Sequence, residues 1–97
     1  MASNETLAAV KLSLGVSHNK KDSLFQRSIE ACMKDLRKLG IVYAEEDDPL
    51  IQLAIQMHCH SLYDPDTARR VEFKQRYDEL KGSMMGTTGY TRRDSYE

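Results

Sequence analysis

A chain of 97 residues with 14 basic and 15 acidic side chains, net charge -1, has room for one small domain and gives no global electrostatic case for binding nucleic acid. At 40 % apolar and 30 % charged it is neither a disordered polyelectrolyte nor a membrane protein, since no stretch approaches the roughly 18 apolar residues of a span. Two cysteines, Cys32 and Cys59, are too few for a disulfide-stapled secreted scaffold. Both fall inside apolar helical patterns and read as reduced, buried thiols of a soluble, unexported protein.

Helix starts and stops recur at regular places along the chain. A first short helix, capped by Asn4 or Thr6, carries Leu7, Val10 and Leu14 at helical spacing and ends at Gly15, with Val16 placed to fold back on Val10. The second starts at Asp22, whose carboxylate is suited to cap the first turn. It aligns Phe25, Ile29, Cys32, Leu36 and Leu39 before Gly40 stops it and brings Ile41 against Leu36. Asp48-Pro49 opens the third. There Leu50, Ile51, Leu53, Ala54, Ile55, Met57 and Leu62 leave only a narrow polar stripe of Gln52, Gln56 and His60, the pattern of a central helix covered on several sides. Asp64-Pro65 repeats the capping chemistry for a fourth, in which Phe73, Tyr77, Leu80 and Met84 share a face and Glu72 precedes Arg76 by one turn. From Gly82 the glycines and hydroxyl residues supply little to bury. The fold expected is therefore all-α, a compact bundle of about four helices over residues 1–81 with a flexible, partner-binding tail over residues 82–97.

Chemistry is sparse. His58, Cys59 and His60 are zinc-binding types in a row, yet neighbours on a helix point about 100° apart, whereas helical ligands need a shared face at a spacing of three or four. No metal, cofactor or catalytic site is assigned. Cys32 and Cys59 lie on faces expected to be buried, where a thiol is a small apolar residue rather than a nucleophile. Glu45, Glu46, Asp47 and Asp48 lie in a solvated loop with no apolar wall to raise a carboxyl pKa. Asp48 serves better as a cap, and Glu45, Glu46 and Asp47 as a charged contact. Arg27, Lys34 and Lys38 follow one stripe of the second helix, flanked by Arg37. Duplex DNA would suit that stripe, but the loop before the third helix is too long for a helix-turn-helix and its carboxylates repel phosphate. In the tail, Tyr90, Arg92, Arg93 and Tyr96 are residue types enriched in binding hot spots.

Val10-Lys11 through Leu14-Gly15-Val16, Asp22 opening a helix with Ile29, Ala31 and Asp35-Leu36, then Gly40-Ile41, follow one another in a characteristic order. Asp48-Pro49-Leu50-Ile51, Ala54-Ile55 and Tyr77-Asp78-Glu79-Leu80-Lys81 complete it. In that order and spacing the chain resembles the small helical head-to-tail connector, or adaptor, proteins of long-tailed bacteriophages, also labelled DNA-packaging proteins. The resemblance covers Leu7 to about Tyr90. Where relatives often have a glycine before the last helix, this chain has Tyr63-Asp64-Pro65. The resemblance implies a non-enzymatic virion protein of the neck, assembled in the host cytoplasm. About a dozen copies form a ring on the portal protein after packaging, extend the channel through which DNA passes, and receive the next neck or tail-completion protein. Tyr90, Arg92, Arg93 and Tyr96 then become portal-binding residues. Arg27, Lys34, Lys38, Glu45, Glu46 and Asp47 become contacts between subunits or face the channel. The alternative from another class is a small DNA-associated or regulatory helical protein acting as a monomer or dimer.

Overall fold

The computed structural model describes residues 4–41 and 45–85 and is all-α: α1 (Asn4–Leu14), α2 (Asp22–Lys38), α3 (Pro49–Tyr63) and α4 (Thr67–Met85), with no strand among the described residues. Two helices end on glycine as the sequence predicts. Gly15 and Gly40 have φ of 74° and 90°, a conformation that lets the chain turn back and satisfy the last carbonyls. Gly15 N–H donates to Leu12 O at 3.1 Å and Val16 N–H to Lys11 O at 2.8 Å, while Gly40 N–H donates to Arg37 O and Ile41 N–H to Leu36 O, both at 3.0 Å. Ile41 and Leu36 are both fully buried in the core, so the second closure carries the apolar pairing expected of it.

The starts are less uniform. At α3 the expectation holds: Asp48 is the cap, accepting from Leu50 N–H at 2.8 Å, and Pro49 follows it. Asp22 does not cap α2. The cap position is Lys21, which makes no side-chain bond there, and the Asp22 carboxylate instead pairs with Lys11 Nζ at 2.9 Å. Lys11 also donates to Asn19 Oδ1 at 2.8 Å, so one ammonium joins the end of α1 to the approach to α2. Thr6 lies inside α1, not at its cap, and its hydroxyl is directed to Glu46 and Gln52. The cap of α4 is Asp66 rather than Asp64, with Ala68 N–H donating to Asp66 Oδ1 at 2.9 Å. Asp64 ends α3, its own N–H donating to His60 O at 3.1 Å.

The core is the seam along α3, which touches all three other helices and packs most extensively on α4. Ile51, Ala54, Ile55 and Cys59 of α3 meet Ile29, Cys32 and Leu36 of α2, Val10 of α1, and Tyr77 and Met84 of α4, all nearly inaccessible. Each buried aliphatic or aromatic side chain contributes about 1.5–3 kcal/mol to folding. Phe25 and Tyr63 close the α2–α3 seam edge to face, with ring centroids 5.2 Å apart. Helix α4 outruns the sequence expectation by continuing through Gly82 to Met85. Met84 stands seven residues after Tyr77, returns to the same face and is 2 % exposed. Its burial outweighs the roughly 1 kcal/mol that a helical glycine costs.

Candidate functional site

The polar stripe of α3 turns toward α1 rather than toward water. Gln52 Nε2 donates to Thr6 Oγ1 at 3.0 Å and to Glu46 O at 2.6 Å, while Thr6 Oγ1 donates to the Glu46 carboxylate. Glu46, expected as a contact between subunits or a channel-facing charge, is thus held within its own chain. Its neighbours Glu45 and Asp47 remain exposed.

One turn before the end of α3, His60 ties α1, α3 and α4 together. Its Nδ1 lies 2.9 Å from Asp64 Oδ2 and its Nε2 2.6 Å from Ser13 Oγ. With Nδ1–H donating to the carboxylate, Nε2 of the neutral ring accepts from the Ser13 hydroxyl. Asp64 is 2 % exposed and fully engaged. Asp66 N–H donates to its Oδ1 at 2.9 Å and Arg70 Nε to its carbonyl at 2.6 Å. The bond from His60, and after it the one from the Asp66 amide, hold this carboxyl below the usual carboxylate range. Phe73 packs on the imidazole, with centroids 4.5 Å apart, and the Arg69 and Arg76 guanidinium groups lie 5.7 and 5.5 Å from the Phe73 ring centroid.

Hydroxyl, imidazole and carboxylate stand here in the order of a hydrolytic triad. Acyl transfer also needs donors aimed at the developing oxyanion. The Gly15 and Val16 N–H groups beside Ser13 are taken up in closing α1. The same contacts form a bolt between α1, α3 and α4. Sequence reasoning missed it because Ser13 and His60 are 47 residues apart; only the one-turn spacing of His60 and Asp64 was legible.

A second cluster joins α2 to α4. Tyr77 OH donates to Asp35 Oδ2 at 2.9 Å, and Lys81 Nζ donates to the same oxygen at 3.0 Å while lying 4.4 Å from the Tyr77 ring centroid. Cys32 Sγ is 3.4 Å from Tyr77 OH. Because the phenol hydrogen is committed to Asp35, the thiol is the donor. Burial alone would raise the Asp35 carboxyl, but the bonds from Lys81 and Tyr77 outweigh it and hold it below the usual range. Burial, then the neighbouring Cys32, pushes the Tyr77 phenol up. The His58 ring, with its centroid 5.1 Å from that of Tyr77, is lowered by burial against an opposing pull from Asp35.

Arg27, Lys34 and Lys38 lie exposed along α2, with no ion pair to them among the described residues. Tyr90, Arg92, Arg93 and Tyr96 lie outside the described residues. Beside the second cluster, an open groove of about 560 Å³ runs between α3 and α4, with Leu62 and Val71 among its walls and Arg70, Lys74 and Lys81 along it. No group of histidine, cysteine and carboxylate side chains suited to a metal ion occurs among the described residues, and none of their helices is long and apolar enough to cross a membrane. Set against known proteins, the chain matches no family model, no curated protein and no solved structure.

Proposed function

We propose that this chain is a structural connector of a bacteriophage neck. It is a non-enzymatic virion protein that assembles as a ring on the portal, lengthens the DNA channel and offers a platform to the next neck or tail-completion protein. The observation that carries the reading is the ordered set of segments behind the resemblance, seen together with where those segments fall. Leu14-Gly15-Val16 and Leu36 to Ile41 form the two glycine closures, Asp48-Pro49 is the cap of the central helix, and Tyr77 to Lys81 forms the polar α2–α4 joint. These four segments of the resemblance are residues that set helix ends and helix pairing in this chain.

Surface charge supports the same reading. Glu45 and Asp47 on one side and Arg27, Lys34 and Lys38 on another are exposed, which suits modest contacts that gain strength when many copies close a ring. Tyr90, Arg92, Arg93 and Tyr96 are assigned to the portal. Native mass spectrometry of the purified chain across a wide concentration range, alone and with portal rings, tests the proposal. Closed assemblies of about a dozen copies, or loading onto portals in that number, are expected. Replacing Arg92 and Arg93 by alanine should weaken attachment to portals and leave the helical body folded. A stable dimer that binds duplex DNA with a steep salt dependence would replace this reading with that of a DNA-associated protein working through the α2 stripe.

A further inference from the structure

Two apolar patches lie open at opposite ends of the central helix, and their surroundings carry opposite charge. Leu62 and Val71 are 45 % and 67 % exposed, in the groove that also holds Arg70, Lys74 and Lys81, three cations against the two carboxylates of Asp35 and Asp78 that pair with the lysines. At the start of α3, Leu50 and Leu53 are 42 % and 41 % exposed and, three residues apart, share a face. They follow directly on the exposed Glu45 and Asp47. Leu50 and Leu62 stand twelve positions apart along α3, a distance of about 18 Å, so the acidic end of a chain does not reach its own groove.

We infer that the groove is filled by a second copy of this chain, which seats Leu50 and Leu53 against Leu62 and Val71 and sets Glu45 and Asp47 against Lys74 and Arg70. The inference rests on the connector reading and names the surfaces through which that ring would close. The contact joins two different patches. It is therefore head to tail, the kind that propagates and closes when the rotation per subunit allows, rather than a two-fold dimer. The basic stripe of α2 offers the same acids a charge and, one turn before Arg27, one exposed leucine, Leu24, whereas the groove brings Leu62 of α3 and Val71 of α4 together in one cleft. Lys74 is held by nothing stronger than exposed Asp78, at 2.9 Å, and can turn to a neighbour at little cost.

Paired cysteine variants of the full chain test the contact, since the native thiols are buried and do not compete. Leu53→Cys mixed with Val71→Cys should give oxidised dimers containing one of each, while either variant alone gives none. Lys74→Glu should weaken assembly about tenfold in native mass spectrometry, and Asp47→Lys added to it should restore assembly. If assemblies form but cross-links are absent or join like with like, the surface assignment is overturned and the connector reading stands. If the concentrated wild-type chain stays monomeric and does not load onto portal rings, both fall.

Discussion

Cys32 and Cys59 are each completely inaccessible, and burial pushes their thiols up to about 11 and about 12, so almost no thiolate exists at pH 8. Iodoacetamide should leave the folded chain unmodified and add two groups once denaturant is present, as read by intact mass. Tyr77 is the residue on which most depends, being both core filler and the centre of the α2–α4 joint. Tyr77→Phe keeps the ring but removes the hydroxyl that serves Asp35 and Cys32, and should cost about 1–2 kcal/mol. Tyr77→Ala adds the cavity and should cost about 3–5 kcal/mol. Urea denaturation of the two variants separates the bond from the packing.

Among elements, the two glycine-terminated helices and the glycine inside α4 make opposite predictions from the same substitution. An added Cβ meets nothing within 4 Å at Gly15, Gly40 or Gly82, so crowding is not the issue at any of them. At Gly40 the φ of 90° penalises an L side chain by about 1–2 kcal/mol, and Gly40→Ala should lower the melting temperature. Gly82 lies within α4, and Gly82→Ala should raise stability by about 1 kcal/mol by removing backbone entropy from the unfolded chain. Thermal melts of the two variants should move in opposite directions. If Gly82→Ala proves neutral or harmful, the last turn of α4 is not helical in solution. Asp48→Ala should cost about 1 kcal/mol through loss of the α3 cap.

At the scale of the whole molecule, a body of 47 × 28 × 19 Å is thin, and polar joints carry what a thicker core would supply by burial. Those joints make stability depend on pH in two steps. His58 is lowered from the ordinary histidine value of 6.5 by burial, so the folded state binds its proton less readily than the unfolded state. Its contribution is complete above that pH and declines as pH falls below it. Asp35 and Asp64 are held below the ordinary carboxylate value of 3.8. Their contribution is present above that pH and is lost as acid protonates them. Denaturation midpoints measured from pH 8 to pH 2 should therefore begin to fall once the pH drops below the ordinary histidine value of 6.5 and fall again below the ordinary carboxylate value of 3.8. His58→Gln should abolish the upper step and leave the lower.

Local rules were enough for much of this architecture. The two glycine stops, the Asp48-Pro49 start and the central position of α3 all depend on backbone conformation or hydrophobic period within one helical turn or two, and such information is contiguous in the chain. Two starts were misplaced where the carboxylate is engaged by another side chain, from a different helix at Asp22 and from one turn back at Asp64. Asp22 is drawn to Lys11 from a different helix, and Asp64 is drawn to His60, leaving the cap of α4 to Asp66. Both polar joints were invisible for the same reason, since Ser13 meets His60 and Asp35 meets Tyr77 only after the helices have packed. The direction of the α3 stripe was likewise settled by tertiary structure. Periodicity shows that Gln52 and His60 share a face, but only the docking of α1 determines that this face is covered while Leu50, Leu53 and Leu62 are left in water.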